Sequence, residues 1–353
     1  MRLTLTCAAI AACLQVAVAH PAFAGTKYDL VRLNRAAKLG GFSPSVLTDS
    51  GLAAGTLDLT AGGYVGYVTN GKTSSTTDYC ANLGAPAQNT FLNSISPDAA
   101  QTYTAGSCSF QPYSFLYNRT TNTTTSVQVP YSGAIWTSAF AVNSNGVVAG
   151  EWANSTTHGF TLAGGTYTSI DIPSASFTNL YGVNAQNTTF GWYGTNPAGT
   201  TANGFLVTSG GSTTVIAYPN AVFTEIFSLN AQNMAVGGWG DASNNRHAYA
   251  WQNGTFLVPP IHDAVQSLAV SVNNEGDVSG WYETAASIAV GTNFGFVWNT
   301  ATNTVIRIKP PRNANNFIPY AVNNTHAQIV GSYYQIGVGT YGFIGTCAGT
   351  SCF

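Results

Sequence analysis

Short stretches rich in β-branched and aromatic residues, among them SVQVP ending at Pro130, SIDIP at Pro173 and VIAYP at Pro219, recur from residue 28 onward. Each is bounded by Gly, Asn or Pro, and none holds a helical period for long. They are read as β-strands separated by tight turns. The strands come in a fixed order. A first strand runs into an Asn, a turn of Asn, Gly, Ser or Asp follows, and a second strand closes on Gly and aromatic residues, as in AVNSNGVVAGEW around Asn143.

The same phrase returns at Asn184, Asn230, Asn273 and Asn323, with Thr48 in the Asn position upstream and a degenerate copy at Ser96. A third strand then opens on a small residue followed by an aromatic one: Gly66-Tyr67, Ser114-Phe115, Gly159-Phe160, Gly204-Phe205, Ala248-Tyr249, Gly295-Phe296 and Gly342-Phe343. A fourth strand ends in five copies at Pro130, Pro173, Pro219, Pro260 or Pro311. A period of about 40–50 residues with four strands per unit belongs to a propeller blade. The seventh copy lacks a fourth strand of its own, whereas residues 28–33 alternate like one and precede the first copy. An N-terminal strand completing the last blade would close the ring and remove two open edges. The expected fold is all-β, a seven-bladed β-propeller of four-stranded antiparallel blades, occupying 25–353 as a single domain.

Residues 1–24 stand apart. One positive charge, an apolar stretch from Leu3 to Ala19 and Ala22-Phe23-Ala24 fit a secretory signal with its cleavage site. The mature protein is then expected to be secreted or extracellular, or periplasmic, with no membrane span. Export leaves four cysteines, Cys80, Cys108, Cys347 and Cys352, which an oxidising compartment would pair. Three pairings exist, and local spacing favours Cys80 with Cys108 and Cys347 with Cys352. No C-x-x-C and no adjacent His suggests a metal, so no metal and no cofactor is expected.

The phrase I/V-N-x-x-G-x-V-x-G-x-Y/W followed by His-Gly-Phe or His-Ala-Phe resembles the HAF-type repeat of secreted bacterial proteins. His158-Gly159-Phe160 and His247-Ala248-Tyr249 carry it almost intact, and the other five copies replace the His. The resemblance implies an extracellular propeller-like protein and no defined catalytic set.

Only 7% of residues are charged and the formal net charge is -2. No basic face exists to follow a phosphate backbone, so nucleic acid is not an expected partner. The loops between blades and those joining second to third strands should share one face of the disc. There the sequence places Trp136, Trp152, Trp192, Tyr193, Trp239, Trp281, Tyr282, Tyr333, His262, Asp263 and Arg312. Flat rings with polar neighbours suit a sugar; the competing reading is that the rings pack blade against blade. The repeat Asn residues read as turn formers, and His158 and His247 as structural.

A monomeric binding or interaction module is the leading expectation, with a glycan or surface polymer as partner. The alternative is a glycan hydrolase or lyase using Glu225, Asp263 or Glu283, with Glu151 and Asp241 also near that face. A third reading is a structural surface protein. Sparse charge and the absence of a catalytic motif favour binding.

Overall fold

In the computed structural model, the described residues are 28–33, 39–98, 100–109, 113–196, 200–324 and 328–347. The signal-like segment lies outside them. They form seven four-stranded antiparallel sheets. The innermost strands are Leu39–Leu47, Thr90–Ile95, Trp136–Val142, Thr178–Val183, Thr224–Leu229, Ala264–Val272 and Ala314–Val322, and these define blades 1 to 7. In blades 1 to 6 the strands run from inner to outer in chain order. Blade 7 takes its outer strand from Tyr28–Arg32, paired antiparallel with Gly339–Cys347 from Tyr28↔Cys347 to Arg32↔Phe343. The seven-bladed propeller and its closure by the N-terminal strand are as the repeat count and the chain ends require. The Arg32 guanidinium lies 3.2 Å from the centre of the Tyr341 ring, adding a cation–π contact to the closure.

The small-aromatic pair opening each third strand has a steric origin. Its aromatic residue faces the repeat glycine across the sheet in every blade, from Gly55↔Tyr67 to Gly331↔Phe343. The seven rings are buried and form the centres of the blade cores. An aromatic laid over a strand glycine covers backbone that would otherwise be bare. The small residue serves the neighbouring blade. A Cβ at Gly66, Gly159, Gly204, Gly295 or Gly342 would meet Leu92, Leu180, Ile226, Phe317 or Phe42 of the next inner strand at 2.3–3.1 Å. These large side chains therefore seat where the preceding blade has no side chain.

The repeat glycine itself is dictated by a bulge. Every inner strand shifts register at one shared place, leaving Ser45, Asn93, Phe140, Tyr181, Phe227, Val270 or Tyr320 unpaired, and those of blades 1, 6 and 7 shift a second time nearer their start. The bulge presses an inner-strand carbonyl against the second strand. A Cβ on Gly55, Gly106, Gly150, Gly191, Gly237, Gly280 or Gly331 would come within 1.8–2.2 Å of that oxygen, so only glycine fits.

The repeat Asn residues do more than shape their own turns. Asn143 Oδ1 accepts the backbone N–H groups of Asn145 and Val147, both at 3.0 Å, which closes the turn. Its Nδ2 then donates to the backbone carbonyl of Asn184 in the next blade at 2.9 Å. The pattern continues from Asn184 to Asn230, Asn230 to Asn273 and Asn273 to Asn323 at 2.8–3.0 Å. Asn323 donates across the chain-end junction to Thr48 at 3.3 Å. Five of the seven blade junctions are thus linked by one buried amide each. At blades 1 and 2 the position holds Thr48 and Ser96, whose hydroxyls accept local N–H groups of Leu52 and Tyr103.

Cys80 and Cys108 are joined in a disulfide, the pairing that local spacing favours. It ties the connector after blade 1 to the second strand of blade 2. Cys347 is also disulfide-bonded; Cys352 lies outside the described residues. No helix among the described residues is long and apolar enough to cross a membrane. Disulfides and that absence are compatible with an extracellular or periplasmic protein.

Candidate binding site in the central channel

The seven bulge residues share one position in the repeat, three before the Asn or its Thr or Ser counterpart. None of them is buried, and Tyr181 is 37% exposed. All seven line a cavity of about 460 Å³ at the waist of the central channel. Blades 3, 4, 5 and 7 contribute rings, with Phe140 and Tyr181 stacked at 6.0 Å and Tyr181 edge-on to Phe227 at 5.5 Å. Val270 continues this apolar arc, and Ser45 and Asn93 form a polar one opposite. No residue lining the cavity is charged.

A second layer is set by the residues that directly follow the repeat glycines. Thr56 of blade 1 occupies this position and lines the same cavity. Glu151, Trp192 and Trp281 are its counterparts in blades 3, 4 and 6. Glu151 is 8% exposed, its charge is felt at Tyr181, and burial pushes its carboxyl up to about 8. Glu225 of blade 5 also bears on Tyr181. Its carboxylate meets Arg246 at 2.8 Å, and burial still raises its pKa against the pull of that guanidinium.

The aromatic residues named from the sequence fall into two groups, because successive positions of a strand face opposite sides of the sheet. Trp192 and Trp281 directly follow the glycine, are half-buried and lie on the layer of Thr56 and Glu151. Trp152, Tyr193, Trp239, Tyr282 and Tyr333 come one residue later and face the other side. There Trp152 stacks on His158 at 4.3 Å and Trp239 on Tyr218 at 4.2 Å. Tyr193 abuts Phe205, Tyr282 stacks on Phe294, and Tyr333 packs on Tyr341. The indole N–H groups of Trp152, Trp239 and also Trp192 are buried without a hydrogen-bond partner among the described residues, and their ring stacks make Trp152 and Trp239 packing elements. The blade-packing reading therefore accounts for them, and the sequence does not separate the two groups because both sit beside the same glycine.

The two HAF histidines are held alike. His158 is clasped between the Trp152 ring and Asp171, Nδ1 to Oδ1 at 2.8 Å, and His247 lies between Trp239 and Asp241 at 3.1 Å. Hydrogen bonds from His247 and Asn245 hold the half-buried Asp241 down to about 2.

The remaining named residues are dispersed. Trp136 begins the inner strand of blade 3 and is half-buried, and Arg312 and His262 are exposed. Glu225 belongs to the inner strand of blade 5 and not to a loop, because Thr224 already pairs with Trp239. Asp263 is paired through both carboxylate oxygens with Arg307 on the outer strand of blade 6, which keeps its pKa low. Glu225 and Asp263 are thus held by different arginines of different blades. Glu283 precedes the short helix Ala285–Ile288, and burial raises its pKa. Among the described residues no cluster of His, Cys, Asp and Glu could hold a metal ion.

No protein-family model and no curated protein matches the sequence. Solved structures match its fold. The β-propeller domain of the Trilobed protease from Pyrococcus furiosus superposes with a TM-score of 0.56 at 8% identity, over 89% of this chain and 99% of that one. The Pyrococcus horikoshii acylaminoacyl peptidase gives 0.56 at 8% identity, over 90% of this chain and 53% of that one, so this chain spans about half its length. The Swd1 β-propeller domain of Myceliophteria thermophila gives 0.53 at 8% identity, covering 90% and 99%. At such identities the likeness is one of fold alone.

Proposed function

We propose that this protein is a secreted binding module that receives its ligand in the central channel, and that the ligand is a carbohydrate. The carrying observation is the ring of bulges, which turns a side chain from every blade out of the packing and into the channel. Rings exposed there have no part in the cores, and polar Ser45 and Asn93 face them. Aromatic faces opposite hydrogen-bonding groups are what a pyranose requires. Trp192 and Trp281, on the adjoining layer, extend the same surface towards the loops.

The test is an immobilised-glycan screen followed by titration calorimetry on the wild type, Tyr181→Ala and Phe227→Ala. Each substitution should weaken binding by about tenfold or more while the melting temperature changes little. Equal affinity in all three proteins would place the ligand elsewhere and overturn the reading. A hydrolase or lyase needs two carboxyls flanking one bond; the separate ion pairs of Glu225 and Asp263 argue against that pair. Turnover on polysaccharides that disappears in Glu225→Gln would establish catalysis instead.

A further inference from the structure

The loops joining second to third strands in blades 3, 4 and 5, residues 154–156, 195–201 and 241–245, hold no large aliphatic residue. Those of blades 6 and 7 carry Ile288, Val290, Ile336 and Val338. Three of the four most exposed large apolar side chains among the described residues are here, Val290 at 74%, Ile336 at 64% and Val338 at 62%. The local structure displays these groups instead of burying them. The short helix Ala285–Ile288 is fixed by its own caps, with Thr284 Oγ1 accepting the Ser287 N–H at 3.1 Å and Ser287 Oγ accepting the Thr284 N–H at 2.8 Å. Ser287 is its buried residue, and Ile288 faces water. In blade 7 the Val338 N–H donates to the Gln335 carbonyl at 3.0 Å, a tight turn with Ile336 at its corner and Gly337 at φ 77°. The blades therefore do not need branched apolar residues at these tips.

Both loops are tied to the segment that leads from blade 6 into the inner strand of blade 7. Thr292 Oγ1 donates to the Ala314 carbonyl at 3.1 Å, and Asn293 exchanges two bonds with the Phe317 backbone at 2.8 Å each. The Ile336 N–H donates to the Asn313 carbonyl at 3.2 Å. The aliphatic tips thus flank one short connector. It carries Lys309 and Arg312, both exposed and without a carboxylate partner among the described residues. Of the other charged groups nearby, Arg307 is joined to Asp263 and Glu283 is half-buried.

We propose that this rim of blades 6 and 7 docks on an anionic lipid surface, with Ile288, Val290, Ile336 and Val338 entering the boundary between headgroups and acyl chains and Lys309 and Arg312 meeting lipid phosphates. Contiguous exposed apolar groups mark contact surfaces, and their composition selects the partner. Protein contacts concentrate their energy in Trp, Tyr and Arg set in desolvated pockets, with Val under-represented. Aliphatic loop tips rimmed by uncommitted cations are instead what an anionic bilayer surface retains. Tyr334, exposed at the end of the strand leading to the blade 7 tip, adds a ring suited to headgroup depth. The surface lies outside the channel and does not depend on the carbohydrate reading.

The experiment is co-sedimentation of the intact protein with vesicles of equimolar phosphatidylcholine and phosphatidylglycerol, beside vesicles of phosphatidylcholine alone. Partitioning should be at least tenfold stronger onto the anionic vesicles, and added salt should erase most of that difference. Ile336→Ser combined with Val338→Ser should lose at least tenfold on the anionic vesicles with little change in melting temperature, because both side chains already face water. Lys309→Gln combined with Arg312→Gln should remove the preference for the anionic vesicles. The proposal is overturned if the wild type does not partition onto the anionic vesicles, if the aliphatic double variant partitions as well as the wild type, or if the lipid preference survives loss of both cations. A concentration-dependent dimer that the aliphatic substitutions dissociate, without vesicle binding, would also overturn it and assign the patch to a second copy of the chain.

Discussion

At the scale of single residues, two side-chain choices carry most of the structural information. The repeat glycine is required because a bulged carbonyl occupies the place of its Cβ. Gly237→Ala would set a methyl group 1.8 Å from the Glu225 carbonyl oxygen, and the clash is with backbone that cannot rotate away. Chemical denaturation should show a loss of about 3 kcal/mol or more. Glu151 makes the opposite kind of choice, a polar group kept where apolar or small residues would suffice. Its carboxyl is neutral in the fold up to about 8 but ionises near 4.5 once the chain unfolds. The folded form therefore holds the extra proton between these values, and stability should decline as pH rises through that window. Thermal melts at pH 4.5 and pH 8 should show Glu151→Gln gaining on the wild type at the higher pH; a constant difference would mean that the carboxyl is not buried in solution. The glycine was legible in the sequence as a spaced letter. The significance of Glu151 was not, because burial between blades is a property of the assembled ring.

At the scale of the blade, the strand order and the outer-strand exchange were readable because each strand is short, punctuated and repeated. The bulges were less visible. Phe140, Tyr181 and Phe227 look like core residues of an alternating strand, and only their constant place three before the Asn hints that they form a set. Likewise Asn at a turn is explained locally by its acceptor oxygen, and nothing local reveals that its amide reaches the next blade. Substitution can divide the two roles. Asn230→Ser leaves a hydroxyl for the turn, as Ser96 does in blade 2, and should lose about 1 kcal/mol. Asn230→Ala removes both the turn acceptor and the link to Asn273 and should lose about 2–3 kcal/mol. Urea unfolding of the two variants beside the wild type tests this ordering, and equal losses would mean that the turn acceptor contributes nothing beyond the inter-blade amide that both variants lack.

At the scale of the whole molecule, the Asn chain has five links and the ring has seven junctions. The two junctions without an Asn link of this chain both involve blade 2, where Ser45 and Asn93 instead donate to the carbonyls of Leu92 and Ala139, and that blade carries the Cys80–Cys108 disulfide. The junction between chain ends is instead doubly secured, by the exchanged strand and by Asn323. Cross-linking across 28 residues is worth about 3–4 kcal/mol in the chain-entropy account. Replacing both Cys80 and Cys108 by Ala should therefore lower stability by about that amount. Amide exchange in the double variant should accelerate first in blades 1 and 2, while the strands joining blade 7 to the N-terminus remain protected. Uniform acceleration around the ring would refute a weak sector there.

The bulges have a consequence for how such a protein can change. Seven side chains face the channel without belonging to any core, and the glycines and rings that hold the blades lie at other positions of the repeat. Altering Phe140, Tyr181, Phe227, Val270 or Tyr320 rewrites the interior surface of the channel and leaves the scaffold's fastening intact, whereas Ser45 and Asn93 also hydrogen-bond to the next blade at the carbonyls of Leu92 and Ala139. The ring is in this sense a frame with five exchangeable inserts, open to a new specificity one blade at a time.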